Sequence, residues 1–324
     1  MPALSQSIAI AETRSTPRRG PSRGLDAVFR TCSYAAALLV LLVLAGILGS
    51  ILYGGWPVFR EFGFGFLTSS AWNIGTEQYG ALVAVIGTLA SAVIALLIGV
   101  PVSLGIAIFL TQLCPGWARK PVAMTIELLA AVPSIIYGMW GLFIFAPIFA
   151  RFVQIPLSNL VEGLPVVGTL LYARVPSGVG IFTAGIILAI MIVPFIASIA
   201  RDMLDQIPTV LRESAYGIGC TTWEVVRHVL VPQAAVSIIG AIMLGLGRAL
   251  GETMAVTFVV GNANRLSASI FDPSSTIASR IANEFNEADG LQLNALMALG
   301  CILFVITFIV LIVARLLTRR VRAA

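Results

Sequence analysis

Apolar residues in this chain come in six long runs separated by shorter polar stretches, rather than alternating or tracing a single helical stripe. The runs cover roughly residues 33–53, 79–110, 122–149, 179–200, 234–261 and 293–314. Each reaches about 20 residues, the length at which a helix crosses a hydrocarbon layer about 30 Å thick. In lipid every backbone polar group has to be satisfied within its own segment, so the pattern predicts an all-α integral membrane protein with six transmembrane helices. The second and third runs are longer than a crossing requires and contain Pro101 and Pro133, so kinks or half-unwound turns are expected there. If the third run breaks at "AAVPSIIYG" it reads as two short spans, and every later segment changes sides.

The polar stretch between the fourth and fifth runs, "RDMLDQIPTVLRESAYGIGCTTWEVVRHVLVPQA", has a helical rather than a disordered pattern. Leu211, Ala215, Ile218, Val225, Val226 and Val229 share faces at spacings of three and four. Pro208 suits a first turn, Gly217 and Gly219 suit a turn, and Thr221 or Thr222 suits the cap of a second short helix. The two readings are a compact helix-turn-helix knob projecting from the membrane domain and an amphipathic loop lying on its surface.

Composition supports the membrane reading: 58% of residues are hydrophobic, 11% are charged, and the mean hydropathy is +0.98. A soluble domain carries about a quarter charged residues. The formal charge of +5 could suit nucleic acid or anionic lipid, and the placement of the charges decides between them. With an inside N-terminus, segments 1–32, 111–121, 201–233 and 315–324 hold fourteen Lys and Arg residues, whereas the outer segments hold Arg60, Arg151, Arg174, Arg265 and Arg280. This is the positive-inside bias, so basicity reflects topology and no nucleic-acid partner is expected. The arginine-rich stretch before the first run suits a disordered cytoplasmic tail touching anionic lipid, with a cleaved signal peptide as the alternative.

Little in the chain suits enzymatic chemistry. A phosphate-binding P-loop needs a Gly-Lys-Ser/Thr sequence, and the sole lysine, Lys120, lies between Arg119 and Pro121. His228 has no evident nucleophile partner. Cys32, Cys114, Cys220 and Cys301 lack the spacing of a disulfide framework or metal site.

Charged residues inside apolar runs mark substrate paths or buried pairs. The candidates are Arg248 and Glu252 in "GRALGETMAV", with Glu127 a turn or two inside the third run. Arg248 lies about 21 Å along a helix counted from Ala234, near or just past the midplane. Glu252 is expected one turn further on the same face. Gly247 and Gly251 form a small-xxx-small pair that lets another helix approach beside the charges. Either the two charges neutralise each other as a structural salt bridge, or the guanidinium receives an oxyanion while the glutamate positions it.

Glu213-Ser214-Ala215, three residues, Gly219, nine residues and Val229-Leu230-Val231-Pro232 resemble the E-A-A, x3, G, x9, I-x-L-P signature of ABC importer permeases. Ser214, Val229 and Val231 are mild departures. The resemblance extends to "FLTSSAWN" at 66–73, the run 79–110, "VPSIIYG" at 132–138, "GRALGETMAVTFVVGN" and "STIASRIANEF" at 275–285, which are similar to PstC-type permeases of phosphate-specific importers. It implies a type I ABC importer permease fold with cytoplasmic coupling helices, in which Glu213, Ser214, Ala215, Gly219 and Pro232 contact an ATPase. It further implies inorganic phosphate as substrate, a PstA-type second permease subunit, a cytoplasmic ATPase dimer and a phosphate-binding protein. No cofactor or metal is expected on this chain, with ATP and Mg used by the partner ATPase. A permease for sulfate, molybdate or phosphonate, or a secondary anion transporter, stays open at this point.

The expected organisation is a disordered basic tail at 1–29, a first transmembrane helix and outer loop at 30–78, a core permease domain at 79–316 with its coupling loop at 201–232, and a basic tail at 317–324. The expected location is the bacterial cytoplasmic membrane, with both termini inside.

Overall fold

A computed structural model describes residues 23–161, 163–164 and 167–323. The tail expected at 1–29 lies outside the described residues as far as 22, and from Arg23 the chain is helical. Among the described residues, six segments are long and apolar enough to cross a membrane: Leu25–Phe62, Leu82–Leu113, Ser134–Val161, Ile181–Asp205, Thr222–Gly251 and Gly290–Leu316.

In chain order the elements are α1 (Arg23–Phe62), α2 (Gly65–Thr68), the hairpin β1 (Trp72–Asn73) and β2 (Gln78–Tyr79), α3 (Leu82–Ile108), α4 (Gly116–Ala130) and α5 (Ser134–Trp140). Then follow α6 (Ala146–Phe149), α7 (Ile155–Val161), α8 (Val167–Leu171), α9 (Ile181–Asp205), α10 (Thr209–Gly217) and α11 (Thr222–Val225). The last elements are α12 (Val231–Gly251), α13 (Met254–Val259), α14 (Ile277–Glu284) and α15 (Gly290–Ala323). Wider π-helical turns continue α3 at Phe109–Leu113, join α5, α6 and α7 at Gly141–Phe145 and Ala150–Gln154, and join α11 to α12 at Val226–Leu230. The segment read as a basic tail at 317–324 continues α15 as far as Ala323.

The chain divides into two units, Met1–Ser50 and Ile51–Ala324. In the first, the side chains at 25–47 are exposed. In the second, the core is built from α3, α9, α12 and α13, around Ala92, Ala184, Ile187, Ile192, Ala249 and Val256. Small residues draw these helices together. A Cβ at Gly185 would lie 2.5 Å from Ile94 Cγ2, and one at Gly245 would lie 2.6 Å from Ile196 Cδ1, so these contacts require glycine.

The third run divides at Ala131–Pro133, and only its second part crosses. Pro133 has no N–H to donate and disfavours a helical conformation before it, so α4 ends at Ala130 and the crossing starts at Ser134. Tyr137 bridges the break by donating its hydroxyl to Leu129 O at 2.9 Å. Glu127 is therefore outside the crossing. It pairs at 2.9 Å with Arg201 on α9, while Arg119 of α4 pairs with Asp205. Two ion pairs thus tie α4 to the end of α9, and a single third crossing preserves the alternation of sides downstream.

Alternation of the crossings puts the hairpin, α8 and α14 on one side of the membrane domain, and α4, α10 and α11 on the other.

Candidate functional site

The face of α12 on which Ala241, Gly245 and Ala249 recur at intervals of four is buried in the core. The opposite face carries Leu244, Gly247, Arg248 and Gly251, all exposed. Among the described residues of this unit, nothing beyond the helix's own backbone lies within 4 Å of a Cβ placed at Gly247 or Gly251, so none of its other helices enters the small-residue notch predicted there. Arg248 is thus placed by the helical period on the side that the described residues of this unit leave uncovered.

The expected geometry of the second charge is corrected. α12 ends at Gly251, and Glu252 has left the helix with φ −69° and ψ 124°. Its carboxylate accepts from Ala255 N at 3.4 Å, over the start of α13, instead of lying one helical turn beyond Arg248. Among the described residues Arg248 has no ion pair and no hydrogen bond. Its guanidinium lies within electrostatic range of the Tyr137 hydroxyl on α5. The break in the fifth run meets the break in the third through α13: a Cβ at Gly138 on α5 would lie 2.9 Å from Ala255 Cα on α13.

On the hairpin side, a second arginine was legible only as one more outer charge. Arg280 of α14 is 6% exposed and pairs with Glu284 at 3.0 Å. It also donates to Ser275 Oγ at 2.9 Å and Asn264 Oδ1 at 3.2 Å, and its Cζ lies 4.7 Å from the centroid of the Trp72 ring. Glu284 in turn accepts from Trp72 Nε1 at 2.8 Å and Gln292 Nε2 at 3.0 Å. Burial draws the Arg280 pKa below its ordinary value, and Glu284 opposes that shift. The available local signals were the four-residue Arg-Glu spacing and the Thr276 cap of α14. The Trp72 contact, 212 positions from Glu284, had no local signal.

The predicted knob is present as two short helices. Pro208 precedes α10, whose Ala215 is buried while Glu213 and Ser214 are exposed. Gly219 takes φ +92°, a left-handed conformation open to glycine at no steric cost. Thr221 caps α11, accepting from Glu224 N at 3.4 Å while its own N–H donates to Glu224 Oε2 at 2.8 Å. Ala215, Val225 and Leu230 anchor the knob on Ala200 and Leu204 of α9. Outward it presents Ile218, 84% exposed, and Trp223, 65% exposed. Pro232 lies in the first turn of α12, so the knob and Arg248 are the two ends of one helical segment, Thr222–Gly251.

The chain is 53% identical over 298 residues to the phosphate transport system permease protein PstC of Haemophilus influenzae, covering 92% of this chain and 94% of that protein. It is 54% identical over 299 residues to the protein of the same name from Mesorhizobium japonicum, covering 92% and 91%. The fold is similar to that of a chain in the crystal structure of a bacterial alginate ABC transporter with its alginate-bound periplasmic protein, at a TM-score of 0.62 and 17% identity, covering 91% and 96% of the two chains. Residues 99–323 match the family described as binding-protein-dependent transport system inner membrane component. The chain belongs to that family, as a PstC-type ABC importer permease.

Proposed function

We propose that this chain is the permease subunit through which inorganic phosphate passes in an ATP-driven importer, and that Arg248 meets the anion on its way. The observation that carries the reading is an arginine in an apolar crossing, without a protein partner among the described residues, on the exposed face of α12. A planar guanidinium offers paired donors to an oxyanion, and in surroundings poor in water such bonds are strong. The names of the relatives supply phosphate as the substrate. Glu252, held at the start of α13, acts beside the path as a source of negative potential that keeps anion binding weak enough for release.

The second permease subunit, of PstA type, covers the open face of α12 with its notch at Gly247 and Gly251. A cytoplasmic ATPase dimer holds the knob through Glu213, Ser214, Gly219 and Pro232, with the buried Ala215 seating the knob on α9 instead of touching the ATPase, and a phosphate-binding protein docks on the hairpin side. The permease hydrolyses nothing itself; ATP and Mg are used by the ATPase. Both termini are cytoplasmic in this reading, which rests on the excess of arginine on the knob side. Closure of the ATPase dimer moves the knob, and the helical segment it begins carries that motion to Arg248, opening the path to each side in turn.

Uptake of labelled phosphate by the assembled transporter tests this. A hydrogen bond to a charged group contributes about 1.5–3 kcal/mol, so Arg248→Gln is expected to lower uptake by about ten- to a hundredfold. Arg248→Lys keeps the charge without the fork and should fall between. Unchanged uptake in both variants removes Arg248 from the path, and efficient competition by sulfate replaces phosphate with a broader oxyanion class.

A further inference from the structure

The end of α1 opens onto a groove that the transport reading does not use. One lobe, about 470 Å³, is lined by Trp56, Phe59, Arg60, Gly63, Phe64 and Leu67. A second, about 420 Å³, shares Phe59 and Leu67 with the first and continues along Val85 of α3 and Ile302, Val305 and Ile306 of α15. The two lobes meet at the wall formed by Phe59 and Leu67, with a single charge lining the first and apolar side chains lining the second.

The local structure keeps the first lobe open. Gly63 ends α1 with φ +54°, donating its N–H to Phe59 O at 3.0 Å, and no atom lies within 4 Å of where its Cβ would stand. Phe59 is fixed edge-on against the fully buried Phe66, with ring centroids 6.0 Å apart. Phe64 and Trp56 remain 88% and 63% exposed, so this end of α1 presents apolar surface that no described residue covers. Arg60 makes no ion pair and no hydrogen bond among the described residues.

The depth of each part matches one ligand. Arg60 and Trp56 lie just beyond the apolar run of α1, at the membrane–water boundary where amphipathic aromatics gather. Ile302 lies about 18 Å along α15 from its start at Gly290, within hydrocarbon. We infer that this groove is a phospholipid site, in which Arg60 binds the headgroup phosphate and the lobe between α3 and α15 holds an acyl chain. The geometry favours an anionic lipid, because the cation at the mouth has no carboxylate partner. The lipid fills the space between the end of α1 and the α3–α15 pair, and so fixes the hairpin end of the permease. The inference rests on the membrane crossings and not on the identity of the transported anion.

The purified transporter in nanodiscs tests it, with dibrominated phosphatidylglycerol in one preparation and dibrominated phosphatidylcholine in another. Quenching of Trp56, isolated by subtracting Trp56→Phe, reports lipid at the groove. Phosphatidylglycerol is expected to quench more strongly. Arg60→Gln should reduce that preference about fivefold, the ratio corresponding to the ~1 kcal/mol of one charge near an anionic surface. Arg60→Lys should keep most of it. Val305→Phe, at a half-exposed position, should weaken quenching by both lipids. Equal quenching by both lipids, unchanged in Arg60→Gln, overturns the inference. So does loss of quenching together with cross-linking of Phe64→Cys to a neighbouring protein chain, which would make the groove a subunit interface.

Discussion

Arg280 and Arg248 are both cations in a chain that is 58% hydrophobic, and the structure treats them in opposite ways. Arg280 is enclosed by Glu284, Ser275, Asn264 and the face of Trp72. Arg248 is exposed and unpaired among the described residues, although it lies in a membrane crossing. A buried arginine whose donors are occupied has little left to offer a ligand; it joins α14 to the hairpin and holds the hairpin end together. One left unpaired in a crossing is costly to keep, and a partner subunit or a passing anion is what relieves that cost. Charge type alone separates neither role, whereas the state of the hydrogen-bond donors separates both.

Breaking the closed site should produce the largest effect. Arg280→Met leaves Glu284 and its neighbours without their cation, and removing one partner of a buried pair costs about 3–5 kcal/mol. The expected result is poor recovery of folded protein and a clear fall in the thermal midpoint in detergent. Arg248→Gln is the counterpart: its stability should stay within about 0.5 kcal/mol of the parent, as for an exposed substitution, with the thermal midpoint nearly unchanged while transport falls. A large loss of stability there would make Arg248 a second structural arginine and erase the contrast.

A smaller effect is expected at Gly219, where a left-handed backbone costs a side chain about 1–2 kcal/mol. Gly219→Leu should weaken co-purification of the ATPase while leaving the membrane core's thermal midpoint nearly unchanged. The smallest and most discriminating change is Trp72→Phe. It keeps an aromatic face over Arg280 but removes the N–H that Glu284 accepts, at an expected cost of about 1 kcal/mol. A null result in the same thermal measurement would leave the ring, not the indole donor, as Trp72's contribution.

Several of these positions were legible locally. The knob was readable because its signals are short-range: a proline before α10, a glycine at the turn and a threonine three residues before Glu224. Arg248 was readable because a charge inside an apolar run is visible without neighbours. The position of Glu252 was not, because the end of α12 goes with the packing of α13 on α5, where Gly138 meets Ala255. Glu127 was assigned to the crossing because α4 joins an apolar run. Its pairing with Arg201, 74 positions away, shows the role of that helix.

By itself, the sequence determined the six crossings, the knob and an arginine within the fifth, because length, hydropathy and turn chemistry act over a few residues. Tertiary structure alone decided which charges are enclosed, which lie open and where a helix stops inside the membrane. Those outcomes turn on groups brought together from distant parts of the chain, and in an apolar medium a polar group's free energy is set by whether such a partner arrives.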